Sequence, residues 1–156
     1  MAIERTLILI KPDGVQRALV GEIVNRFERT GMKIVGMKLM QMTPELASQH
    51  YKDHVGKGFY DGLVKFMTSS PLVALAIEGP KAVDNCRKLM GKTFCTDAVA
   101  GTIRGDFGIS RGLNLVHGSD SPESAQRELG LFFQANELLE YSRAVDAWTQ
   151  NDEDRG

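Results

Sequence analysis

The run from Pro71 to Ile77 is almost wholly apolar. A short segment of that kind suits a central strand that helices must cover. Glu78-Gly79-Pro80 then turns the chain. Three further segments read as strands. Thr6 to Ile10 alternates and is rich in Leu and Ile, Val35, Met37 and Leu39 alternate in a second, and Leu113 to His117 forms the last. Between them lie helical periodicities. Leu19, Val20, Ile23, Val24 and Phe27 make one apolar face, closed by Gly31 at the C′ position. Ala82, Val83, Cys86, Leu89 and Met90 make another, with Arg87 on the opposite side and Gly91 as the cap. After His117, Ser121 is a good N-cap, Pro122 suits the first helical position and Glu123 sits in the positive first turn. Ala125, Leu129, Phe132 and Phe133 follow at helical spacing.

Two insertions interrupt this series. Thr43-Pro44-Glu45 starts a short helix carrying His50 and Tyr51. Gly56-Lys57-Gly58 breaks it, and a second short helix carries Phe59, Leu63 and Phe66. The pair predicts a hairpin standing away from the sheet. From Lys92 to Gly112 no periodicity appears, and a loop of roughly twenty residues in a compact domain usually has a function. Gln134 to Tyr141 reads as one more short helix. Stripped of insertions the order is βαββαβ. That predicts an α+β fold: a ferredoxin-like, four-stranded antiparallel sheet with helices on one face, an inserted helical hairpin and a long loop before the last strand. Residues 1–150 read as one domain, and residues 151–156 as a charged, frayed tail.

At 156 residues the chain can bury a real core. A net charge of −1 argues against a protein built to coat nucleic acid. No apolar run reaches the length of a membrane span, and Met1-Ala2-Ile3-Glu4-Arg5 lacks signal-peptide architecture, so a cytoplasmic protein is expected. Cys86 and Cys95 make neither a disulfide framework nor a four-ligand zinc site, and read as reduced thiols.

Chemistry gathers at His117. It lies where a strand stops and the turn Gly118-Ser119-Asp120 begins. Glu128, nearly two turns into the next helix, points back toward it. A carboxylate there holds one imidazole nitrogen and leaves the other free to attack. Gly91-Lys92-Thr93 resembles the end of a phosphate-binding P-loop, but the glycine required five residues earlier is Cys86, and a helix precedes it. The P-loop reading fails. What remains is a scattered set of cations, Lys11 at a strand end, Arg87 and Arg104, with Thr93 and Asn114 as neutral donors. Arginine forks suit phosphate oxygens. His50 and His54, at i and i+4, have a spacing that can bind metal, but no glutamate base adjoins His50.

Asn114 to Ser121 followed by Glu128 resembles the active-site motif of the nucleoside diphosphate kinases. Further family-like stretches are Ile10 to Arg17, Gly62 to Lys65 and Gly101 to Phe107, so the likeness runs from Glu4 to about Trp148. The resemblance implies that His117 takes the γ-phosphoryl group from a triphosphate and passes it to a diphosphate, with ping-pong kinetics. It implies that Glu128 orients His117, that Ser119 lies close to both, and that Lys11 acts on the phosphates. Tyr51, Arg87, Thr93, Arg104 and Asn114 resemble phosphate- and ribose-contacting positions, Phe59 the aromatic that stacks on the base, and Leu63 a further nucleotide-side residue. Stacking tolerates any base. Mg2+ would ride on the phosphates, through water to Asp120, with no protein cage. The partners implied are ATP and other nucleoside di- and triphosphates, and further copies of the chain, a hexamer in preference to a tetramer. The chain departs from the family pattern at Phe94, Cys95, Ala100, Arg111 and Leu113, which bear on the long loop, subunit contacts and base side. Two other functions fit the fold: a nucleic-acid-binding or regulatory module, and a protein-histidine kinase using the same His117. The first lacks an arginine-rich stripe or paired aromatics.

Overall fold

A computed structural model describes residues 3–155. Met1, Ala2 and Gly156 lie outside the described residues. Four strands, β1 (Ile3–Ile10), β2 (Lys33–Met40), β3 (Leu72–Pro80) and β4 (Val116–Gly118), form one sheet in the order β2-β3-β1-β4. Every neighbouring pair is antiparallel. The apolar run of β3 lies inside the sheet, as its composition requires. Between the strands run α1 (Pro12–Gln16), α2 (Val20–Glu28), α3 (Pro44–His50), α4 (Tyr60–Met67), α5 (Ala82–Met90) and α6 (Ile103–Phe107). After β4 come α7 (Pro122–Phe132), α8 (Asp146–Thr149) and α9 (Asp152–Arg155).

The expected βαββαβ frame is present. Its crossover helices α2 and α5 cover one face of the sheet, where Ile23, Phe27, Cys86 and Met90 join Ile8, Ile10, Val73, Leu75 and Ile77 in one core. The other face is covered too. Leu7, Leu9, Ala74 and Ala76 meet Ala47 of α3, Met67 of α4, and Leu129 and Phe132 of α7. The residues of β1 therefore alternate between two dry cores, and Leu7, Ile8, Leu9 and Ile10 are all fully buried. Each such side chain contributes about 1.5–3 kcal/mol. For the same reason the hairpin of α3 and α4 packs onto the sheet rather than standing away from it. Only its tip is free, with Val55 and Phe59 exposed.

Several boundaries differ from the sequence reading. Lys92 to Gly112 is not featureless: it holds a 3-10 turn at Cys95–Asp97 and helix α6, capped by the Thr102 hydroxyl accepting from the Gly105 amide. The last strand starts at Val116, not Leu113, because Leu115 adopts φ +72°, which breaks an extended run. It also ends one residue later, so His117 is its middle residue. Pro12-Asp13-Gly14, despite its turn-forming residues, opens α1. Only Ala135–Glu137 of the Gln134–Tyr141 segment is helical, as a 3-10 turn. The tail expected to fray carries one turn of helix, α9, in which Arg155 donates to the carbonyl oxygens of Asp146 and Gln150. The caps at Thr43, Ser121 and Gly91 are as read.

Candidate active site

A cleft of about 350 Å³ opens where β1 and β4 end against α7 and the hairpin. That lies within the ordinary range of small-ligand sites, ~300–1,000 Å³. His117 reaches it from β4, where it pairs with Leu9 of the buried strand β1. Its flanks are fixed, since Val116 and Ser119 are fully buried and the Ser119 amide donates to the Leu7 carbonyl at 3.1 Å.

Glu128 projects from the buried side of α7 and its Oε1 lies 2.7 Å from His117 Nε2. The Ser119 hydroxyl donates to the same oxygen at 2.9 Å. A carboxylate only accepts, so in the neutral ring Nε2 carries the imidazole proton and Nδ1 keeps its lone pair. Burial disfavours the charge on Glu128, but the bonds from His117 and Ser119, with nearby positive potential, outweigh it. The carboxyl stays below the ordinary carboxylate range.

Lys11 ends β1 and lines the cleft; its Nζ donates to Asn114 Oδ1 at 2.8 Å. Burial, and then the like charge of Arg104, lowers its pKa to about 8. The strained Leu115 accounts for this meeting. Its carbonyl accepts from the Lys11 amide at 2.8 Å and its amide donates to Asp13 at 3.1 Å, so the unusual φ is held from both sides. Asn114 also donates to the Thr93 carbonyl at 3.0 Å, tying the long loop to the site.

Arg104 is buried, and three of its nitrogens donate to the carbonyls of Asn114, Gly91 and Val116 at 3.1, 2.9 and 2.7 Å. Each terminal nitrogen retains a second proton for an anion. Burial draws the Arg104 pKa down to about 10. Arg87 donates to the Gly118 carbonyl at 3.1 Å, next to His117.

The cleft thus gathers Lys11, Tyr51, Arg87, Thr93, Arg104, Asn114, His117, Asp120 and Glu128. Ser119 sits behind Glu128. Phe59 and Leu63 are not in its wall: Leu63 is half-buried against the second core, and Phe59 is 55% exposed at the start of α4. Phe59 connects to His117 through a series of ring contacts, His117–His50 at 4.8 Å, His50–Tyr51 at 4.5 Å, Tyr51–His54 at 6.2 Å and His54–Phe59 at 5.2 Å. His50 therefore partners His117, not His54 as the i, i+4 spacing suggested. Sequence reading missed Arg127, whose guanidinium lies 3.8 Å from Glu128 and lines the cleft with Ser124. Helical spacing from Glu128 was the available signal, because Ser124, Arg127 and Glu128 share one face.

A fixed imidazole with one free lone pair, facing a cleft of cations, is the apparatus of a phosphotransferase that carries the group on itself. Comparison with known proteins sharpens that class. The family described as "Nucleoside diphosphate kinase" matches residues 4–138. The nucleoside diphosphate kinase of Pelotomaculum thermopropionicum is 57% identical over 145 residues, 93% of this chain and 97% of that protein. That of Desulforamulus reducens is 54% identical over the same shares. Among solved structures, the halophilic enzyme of Halobacterium salinarum in complex with CDP superposes with a TM-score of 0.93, at 49% identity, over 95% of this chain and 99% of that one. The Borrelia burgdorferi enzyme, a transition-state mimic with vanadate and ADP, gives 0.89 at 37% identity, over 95% and 97%. The chain belongs to the nucleoside diphosphate kinase family. Its reaction is phosphoryl transfer between nucleotides through a phosphohistidine.

Proposed function

We propose that His117 carries the phosphoryl group and that the surrounding cleft binds donor and acceptor in turn. The observation that supports this best is the 2.7 Å contact of His117 Nε2 with Glu128, on a ring that borders Lys11, Arg87 and Arg104. Nδ1 attacks the γ-phosphorus, the N–P bond forms, and the bond to the β-phosphate oxygen breaks as the diphosphate leaves. The ring gains positive charge, which the adjacent Glu128 stabilises; Ser119 keeps that carboxylate in place. A second diphosphate reverses the steps, so kinetics are ping-pong. Lys11, Arg87 and Arg104 neutralise phosphate oxygens, where most of the catalysis in phosphoryl transfer resides. Tyr51, Thr93 and Asn114 contact phosphate and ribose, Phe59 stacks on the base and Leu63 backs it. Stacking accepts every base, which supports broad nucleotide choice.

The donor set suits a metal carried by the nucleotide. Asp120 and Asp53 are exposed carboxylates at the cleft; Asp120, beside His117, would reach the metal through water, and neither builds a cage. Mg2+ bound to the β- and γ-phosphates would offset their charge. Nucleotides as partners are supported by the CDP and ADP complexes of the relatives.

Residues 1–150 act as one catalytic domain in this reading, in the cytoplasm; among the described residues no helix is long and apolar enough to cross a membrane. The chain assembles as a homo-oligomer, a hexamer in preference to a tetramer. Support comes from apolar side chains left uncovered on edge strand β2, Met37 at 51% and Leu39 at 66% exposure, and in the long loop, Val99 at 69% and Ile109 at 91%. Light scattering at several concentrations reads the state. The test of function is a chase: protein labelled with γ-phosphate from ATP is mixed with CDP, GDP or UDP. Rapid loss of label to each supports the reading; label that stays on the protein, or never arrives, overturns it.

A further inference from the structure

An imidazole with no part in the steps above sits beside the nucleophile. His50, at the end of α3, is 5% exposed, and neither ring nitrogen has a hydrogen-bond partner. Buried polar atoms without partners are rare, and an ion or a water is a common reason for them. The His50 ring meets that of His117 edge-on, with centroids 4.8 Å apart and planes at 82°. One ligand atom each from His50, His117 and Glu128 lie within 4.8 Å of one another. Two imidazoles and a carboxylate, with room for a fourth ligand on the cleft side, form a zinc-type donor set.

We propose that the nucleotide-free, unphosphorylated protein binds a borderline divalent cation such as Zn2+ across His50, His117 and Glu128, and that this silences the nucleophile. The binding stands on the three side chains alone; only the silencing rests on the reading of His117 as nucleophile. Tetrahedral bonds of about 2.0–2.1 Å hold donor atoms roughly 3.3–3.5 Å apart, so the triad must contract. In turning inward His50 gives up no hydrogen bond, only part of its edge-on contacts with Tyr51 and Phe132. A neutral imidazole has one proton and one lone pair. An ion on Nε2, in place of the proton shared with Glu128, sends that proton through solvent to Nδ1. An ion on Nδ1 takes the lone pair directly. Either way no ring electron pair remains for phosphorus. Mg2+ prefers oxygen ligands, so magnesium arriving with the nucleotide does not compete. Lys11, Arg87 and Arg127 oppose the cation, which makes the site weaker than a structural zinc site.

The experiment titrates Zn2+ into the nucleotide-free protein against a chromophoric chelator, for the unaltered chain, His50→Gln and His54→Gln. The expected result is one site per chain, weakened about tenfold or more by His50→Gln and unchanged by His54→Gln. Thermal unfolding of both variants shows that they are folded, and His50→Asn serves if His50→Gln is not. Equal affinity in the His50 variants, or no stoichiometric binding, overturns the site. Excess zinc in the exchange reaction should then inhibit the unaltered chain far more than His50→Gln. Equal inhibition of the two would mean zinc acts on the nucleotide and overturns the silencing. Because the binding arm needs no phosphoryl transfer, it fails or stands separately from the proposed reaction.

Discussion

The corner that holds His117 and the rim that holds Phe59 are built in opposite ways. His117 sits on β4, in register with fully buried Leu9, and its neighbours Val116 and Ser119 are fully buried. The rim from Tyr51 to Phe59 is a single 3-10 turn followed by a glycine at φ +85°, with Val55 56% exposed. In the proposed reaction a lone pair must be aimed at phosphorus, and pairing with β1, which is buried between two cores, gives β4 that aim. A ring that accepts different bases gains from a segment with few burying contacts, which opens and adjusts easily. The proposed function therefore places chemistry on the rigid part and base contact on the adaptable part.

This contrast can be broken or sharpened by substitution. The largest effect is expected for His117→Asn, which should lower exchange by on the order of 10⁴-fold or more while the protein still unfolds cooperatively. Glu128→Gln should reduce kcat by about 10²-fold, since the ring loses a charged partner but not its site. Phe59→Ala, on the rim, should raise KM for all nucleotides about tenfold and leave kcat nearly alone, the loss of one base stack. A large kcat loss there would contradict the division of labour. The pH response is smaller. Lys11, buried beside Arg104, has a pKa of about 8, so its ammonium is charged below that value and neutral above it. As pH rises through about 8, kcat/KM should fall several-fold, and Lys11→Gln should flatten the profile. Smallest is Ser121→Ala, which removes the cap on the Ser124 amide and should cost about 1 kcal/mol in denaturant unfolding, with kcat unchanged.

The frame was legible in the sequence because burial and periodicity are local signals. The apolar run of β3 and the caps at Thr43, Ser121 and Gly91 read directly. So did the return of Glu128 to His117, which needs only one strand end and one helix period. Four features needed the third dimension. Leu115 at φ +72° has no glycine or asparagine to announce it; its strain is held by Lys11 and Asp13, both distant in sequence. The second covered face depends on where the hairpin folds back, which its glycine-rich turn does not encode. His50 read as half of an i, i+4 pair, whereas packing turns it to His117. Convergence of Lys11, Arg87 and Arg104 was likewise implied by family resemblance alone.

The most direct measurement is the intact mass of the protein after incubation with ATP and magnesium, followed by removal of nucleotide and mapping of the modified residue. The account predicts one added phosphoryl group on His117, discharged on adding ADP and absent from His117→Asn. A protein that gains no phosphoryl group, or gains it on another residue that then discharges to ADP, contradicts it.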